Sequence, residues 1–180
     1  MRNGLAGEER EVVNRVISIV MVVFVISGVL LTILSCASNP PEVRLIDGRL
    51  RACPSSPNCV SSESDVASSR VEPLTFQGTP ETAWGNLKET LRAMGGRIEE
   101  ERDGYLRATF TSKVFRFVDD VELRMVSTDG IIHVRSGSRV GYSDLGVNRK
   151  RVEKLRTLFN QKENPEADPQ TDLANAQQRR

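Results

Sequence analysis

Hydrophobic and polar positions divide the chain into stretches of unlike character. Val16 to Leu34, "VISIVMVVFVISGVLLTIL", is an uncharged run of 19 residues whose polar side chains are Ser18, Ser27 and Thr32. As a helix it extends roughly 28 Å, about the hydrocarbon thickness of a bilayer. A soluble core helix keeps a polar stripe, and this run has none. Residues 1–35 therefore predict a signal peptide or membrane anchor outside the fold. Residues 36–52 carry "SNPP" and no apolar period, and read as a linker. Residues 161–180, past Asn160, lose all apolar periodicity and predict a disordered tail.

Between them, residues 53–160 predict one domain. Ser55 to Ser69 is rich in serine and proline and reads as ordered loop. "VEPLTF", Val71 to Phe76, suits a short strand that Pro73 places at an edge. Next, Thr79 can cap a helix and Pro80 suits its first position. Ala83, Trp84, Leu87, Leu91 and Met94 repeat at helical spacing, and Gly95-Gly96 ends the run. Two strands then flank Asp103-Gly104, a two-residue hairpin turn. Leu106, Ala108 and Phe110 alternate with Arg107, Thr109 and Thr111, which predicts one buried and one wet face. Val121, Leu123 and Met125 continue the alternation, and Asp129-Gly130 turns into Ile132 and Val134. A last helix is predicted near Asn148, a natural N-cap, with Val152, Leu155, Leu158 and Phe159 on one face. The sum is α+β: an antiparallel sheet of about four to five strands with two helices packed on one face.

Charge then narrows the function classes. The chain carries 25 basic and 24 acidic side chains, for a net charge of +1, without the basic excess of a nucleic-acid binder. Lys and Arg nearly tie at the two ends of the apolar run, so the positive-inside rule sets no orientation. The end of the run adds more. "ILSC", Ile33 to Cys36, resembles a bacterial lipobox, although Leu34 is bulkier than usual there. Two outcomes stay open: a cleaved lipoprotein lipidated on Cys36, or an uncleaved membrane helix. Lipidation of Cys36 would leave Cys53 and Cys59, in "CPSSPNC", to oxidise as a structural pair outside the cytoplasm, with a redox-active pair or free thiols as the alternatives. The spacing is not that of a catalytic dithiol, and the stretch supplies too few ligands for zinc.

Reactive motifs are absent. There is no phosphate-binding glycine loop, dinucleotide fingerprint or nucleophile elbow, so no cofactor is expected. His133 is the one histidine and reads as an ordinary surface or half-buried strand residue. Asp119 and Asp120 are adjacent on a strand and point to opposite faces. Asp120 and Glu122 share a face, where they suit either a divalent cation or cross-strand pairing with Arg135 or Arg139. No metal site is assigned. "SGSRVGYSDLGVNRKR", Ser136 to Arg151, holds Arg139, Tyr142, Asp144, Asn148 and Arg149 at a helix start. With Asp120 these are the candidate ligand-binding residues, because arginines beside free helix amides favour an anion. The same residues also suit plain turn chemistry.

Three segments in order, "CPSSPNCVSS", "FRFVDDVE" and "SRVGYSDLGVNRKR", resemble the bacterial domain of unknown function 1499 over about Cys53 to Leu158. The resemblance implies an envelope or membrane-anchored setting and no settled reaction. It marks Cys53, Cys59, Asp119, Asp120, Arg139, Tyr142, Asp144, Asn148 and Arg149 as matching positions. The expectation is a membrane-anchored lipoprotein of the bacterial cell envelope whose domain lies outside the cytoplasm. It would bind an anionic small molecule or an envelope protein partner and catalyse nothing. The alternative is an envelope hydrolase using Asp119, Asp120 or Asp144 as acid or base.

Overall fold

The computed structural model describes residues 2–36, 45–113 and 116–164. Helix α1, Arg2–Cys36, contains the apolar run. Its segment Glu11–Leu30 is long and apolar enough to cross a membrane and is not buried among the described residues. The side chain of Cys36, the tail 165–180 and most of the expected linker lie outside the described residues.

The folded part begins earlier than residue 53. Strands β1, Leu45–Ile46, and β2, Arg49–Leu50, form a two-stranded hairpin. Its turn residues Asp47 and Gly48 have φ of 50° and 75°, the left-handed pair that a two-residue turn requires. The linker reading is thus corrected at its C-terminal end.

The main sheet has six strands, all paired antiparallel. These are β3, Cys59–Ser61; β4, Leu74–Thr75; β5, Arg97–Arg102; β6, Tyr105–Thr111; β7, Val118–Val126; and β8, Ile131–Ser138. The order is β3-β8-β7-β6-β5, with β4 also pairing β8. Six strands replace the expected four to five because β3 falls inside the serine- and proline-rich stretch read as loop. Three residues cannot display an alternation, and pairing with β8 is what makes them a strand. The Asp103-Gly104 turn is as expected, with φ of 41° and 73°.

Helix α2, Pro80–Ala93, is capped by Thr79, whose Oγ1 accepts from the Thr82 amide at 3.3 Å. Helix α3 is Val147–Glu163. Both helices bury their apolar stripes on one cluster with one face of the sheet. Ala83, Leu87 and Leu91 meet Val152, Leu155 and Phe159 over Leu106, Leu123, Ile132 and Val134. The register explains this face: Leu106 lies opposite Leu123, and Leu123 opposite Val134. The intervening positions necessarily point the other way.

Candidate functional site

The second face of the sheet is built of charge. Arg107 lies opposite Glu122, and Glu122 opposite Arg135. In the next row on this face, Thr109 faces Asp120 and Asp120 faces Gly137. An open antiparallel sheet would leave such a face wet. Here it is covered: β2 packs across β7 and β8, and Leu50 is only 5% exposed. The hairpin is held by Glu63, which accepts from the Leu50 amide at 2.6 Å and pairs with Arg124.

Under this cover the ionic groups are buried and mutually bonded. The Arg135 Nη1 donates to Glu122 Oε2 at 2.7 Å, and the Tyr105 hydroxyl donates to Glu122 Oε1 at 3.1 Å. Burial and the Glu122 carboxylate push the Tyr105 phenol well above its ordinary pKa. Arg139 grips Asp120 with two bonds, Nε to Oδ2 at 2.7 Å and Nη2 to Oδ1 at 2.9 Å. Arg107 adds a third bond, to Asp120 Oδ1 at 3.2 Å. The hydrogen bond to Asp120 raises the Arg139 pKa, which keeps the guanidinium charged.

A cleft of about 440 Å³ opens beside this network, lined by Arg51, Cys53, Asp120, Arg135, Ser138 and Arg139, with Ala52, Pro54 and Gly137 completing the wall. Three guanidiniums therefore face one carboxylate, and that carboxylate is already taken. Two of the three have an unused donor. Arg51 Nε and Arg135 Nε are buried and lack any hydrogen-bond partner among the described residues. Burial lowers the Arg135 pKa, Glu122 raises it, and the nearby Arg51 charge lowers it again.

The expected candidates do not form one pocket. Asp120 and Arg139 line the sheet cleft. Asp144 and Arg149 line a second cleft of about 440 Å³, with Val60, Val66, Ser68 and the cysteine loop. The Cys53–Cys59 disulfide is formed, with Cα atoms 5.6 Å apart, and Cys53 lines both clefts. Tyr142 is 76% exposed and belongs to neither lining. Arg149 is spent on main chain, donating to Arg70 O at 2.9 Å and Ser68 O at 2.7 Å.

Asn148 is not the helix cap. Gly146, in the left-handed region at φ 78°, occupies the N-cap position, and Asp144 supplies the capping oxygens. Asp144 accepts from the amides of Gly146 at 2.9 Å and Asn148 at 2.7 Å. The Asn148 side chain is fully buried instead. It donates to Asn58 O and Ser138 Oγ, both at 3.0 Å, and accepts from Ser136 Oγ and Arg151 Nη1, both at 2.6 Å. The helix start thus offers a polar core rather than an anion seat.

The two aspartates diverge as alternation requires. Asp119 turns to the helix side and pairs with Arg151 at 2.6 Å, while Asp120 turns to the cleft. Cross-strand pairing of Asp120 and Glu122 holds, and no group of His, Cys, Asp or Glu able to hold a metal occurs among the described residues. His133 is half-buried as expected, with Nδ1 3.2 Å from Ser62 Oγ. Burial lowers its pKa, partly opposed by Glu63.

Arg51 is the site residue that the sequence hid, because it sat in the expected linker. The signal available was "LIDGRLRAC", an Asp-Gly turn between apolar positions just before the first domain cysteine.

No curated protein and no solved structure matches the chain. The family model described as "Protein of unknown function (DUF1499)" matches residues 49–159, a span that includes β2, Arg51, both domain cysteines and the whole charged face. The chain belongs to this family.

Proposed function

We propose that the chain is a membrane-tethered domain, held outside the cytoplasm of a bacterial cell, that binds a small anion and performs no reaction. The observation that carries the binding role is that Arg51, Arg135 and Arg139 line one cleft whose one carboxylate among the described residues, Asp120, is already held by Arg139 and Arg107. A bound oxyanion would answer the excess of guanidinium over carboxylate on the cleft wall. The carboxylates named for the hydrolase alternative argue against it. Asp119 pairs with Arg151, Asp120 with Arg139 and Arg107, and Asp144 with two helix amides. A general base needs an oxygen free to reach a substrate.

The tether is supported by the apolar span Glu11–Leu30, and the compartment by the disulfide, which persists in oxidising surroundings. The lipoprotein form rests on "ILSC" ending at Cys36. Titration calorimetry on the full chain in detergent tests the binding role: small oxyanions give saturable heat that Arg51→Ala removes. Absence of heat with every anion tried refutes it. Metabolic labelling with a fatty acid tests the tether, since Cys36→Ala abolishes incorporation if this cysteine is lipidated. Unchanged labelling excludes it.

A further inference from the structure

We infer that the ligand of the Arg51–Arg135–Arg139 cleft is a tetrahedral oxyanion of the phosphate class, and neither a zwitterion nor a simple carboxylate. The inference rests on the anion-binding reading above and narrows it by the chemistry of the wall. A zwitterion such as an amino acid needs an acceptor for its ammonium group. Asp120 is the one carboxylate lining the cleft among the described residues, and both its oxygens are held by arginines. The rest of the wall is Ala52, Cys53, Pro54, Gly137 and Ser138, with no aromatic ring. A nucleobase or sugar ring has nothing to stack on, so recognition is of a charged head group alone.

Geometry separates phosphate from carboxylate. A carboxylate presents two oxygens in one plane, which a single guanidinium fork satisfies. Here two guanidiniums come from different parts of the fold. Arg135 stands on β8 within the sheet, and Arg51 follows β2 in the covering segment. Guanidiniums carried on two separate elements can each take a different pair of oxygens of a tetrahedral ion, which a carboxylate with two oxygens cannot supply. Two like charges drawn together also favour a ligand carrying more than one negative charge, and the lowering of the Arg135 pKa by Arg51 is consistent with that proximity. Arg139, fixed by Asp120, keeps a third positive charge at the rim.

Calorimetry on the full chain in detergent, at fixed ionic strength and with the disulfide intact, compares inorganic phosphate, sulfate, acetate and glycine. Phosphate and sulfate are expected to bind, acetate at least about tenfold more weakly, and glycine not at all. Arg51→Ala is expected to weaken phosphate binding by about tenfold to a hundredfold, the loss of a charge-assisted contact. Arg51→Lys keeps the charge, loses the fork and falls between. Arg51 is half-buried on the covering segment, so these variants should keep the wild-type unfolding midpoint, which is measured alongside. Acetate binding as tightly as phosphate, still lost in Arg51→Ala, overturns the phosphate class and leaves the anion site standing. Phosphate affinity unchanged in Arg51→Ala, or no binding of any anion, overturns both. Free phosphate and a lipid head group share this chemistry. Repeating the titration in phosphatidylcholine discs with and without phosphatidic acid separates them: a fall in apparent phosphate affinity assigns the site to the lipid, and no change assigns it to the soluble ion.

Discussion

Glu122→Ala removes the carboxylate that holds Arg135 beneath the cleft. Glu122 is fully buried and Arg135 is 4% exposed, so both partners are desolvated in the folded chain. Two groups are orphaned at once, the Arg135 guanidinium at 2.7 Å and the Tyr105 hydroxyl at 3.1 Å. Removing one partner of a buried pair costs about 3–5 kcal/mol. For a domain of about 120 residues each kcal/mol lowers the unfolding midpoint by about 3–6 °C, so the fall should be at least about 9 °C. Calorimetric or dichroism melting of the full chain in detergent reads it directly. Glu89→Ala, which breaks an exposed pair with Lys162, is the control and should leave the midpoint in place. The double variant Glu122→Leu/Arg135→Met tests the reasoning from the other side. A buried pair replaced by apolar residues of similar volume is often neutral or stabilising. The double variant should therefore melt well above Glu122→Ala, while phosphate binding is lost with Arg135. A loss below about 1 kcal/mol in Glu122→Ala would refute the claim that this charge pair is desolvated.

Reducing the Cys53–Cys59 bond should lower stability by about 2 kcal/mol in denaturant titration, since the loop it closes is short. It should also weaken phosphate binding, because Arg51 stands two residues before Cys53. Equal affinity in both redox states would show that the bond does not position Arg51. Asn148→Ala removes four hydrogen bonds, to Asn58 O, Ser136 Oγ, Ser138 Oγ and Arg151, from a fully buried site and should cost about 2 kcal/mol by urea unfolding. A stable Asn148→Ala that loses only ligand binding would restore the helix-start site. Burial lowers the His133 pKa, with Glu63 and Asp129 opposing and Arg124 and Arg49 assisting. The unfolded chain thus takes up this proton first. The group's stabilisation is intact above about pH 6.5 and is lost as pH falls below it, and His133→Gln should flatten that part of the stability profile. Identical profiles for the two proteins would remove His133 from the account.

Local chemistry made much of this fold readable. Thr79-Pro80 marked α2, Asp103-Gly104 marked a hairpin, and alternation along Leu106, Ala108 and Phe110 marked which face is buried. The failures have equally local causes. Asp47-Gly48 carries the same turn signal as Asp103-Gly104, but two-residue strands beside it display no alternation, so the hairpin read as linker. Asn148 has the residue type of an N-cap, and Asp144 has it too. Which of them caps was decided by Ser136 and Asn58, distant in sequence, which draw the Asn148 side chain inward. The pairing of Asp120 and Glu122 with strand arginines was legible because cross-strand neighbours follow from alternation. That the charged face would be roofed was not, since the roof comes from outside the expected domain boundary.

That roof changes what the charged face means. Arg107, Asp120, Glu122 and Arg135 in the open would be an ordinary solvated surface, worth little in stability. Under β2, Asp120, Glu122 and Arg135 are desolvated, and apolar residues would fill the same space at lower cost. The neighbouring Asp119 shows what a purely structural pair looks like in this protein. Its partner Arg151 also packs over the Phe110 ring at 4.9 Å and donates to Asn148, so the charges are absorbed into a closed polar cluster. One residue later on β7 the closure fails. Asp120 is held on both oxygens by arginines, yet Arg51 and Arg135 line the same cleft beside it. The Asp119 side of β7 is closed by its own polar cluster, whereas the Asp120 side opens on a cleft whose guanidiniums outnumber its carboxylate, and that is the side where an anion from outside the chain belongs.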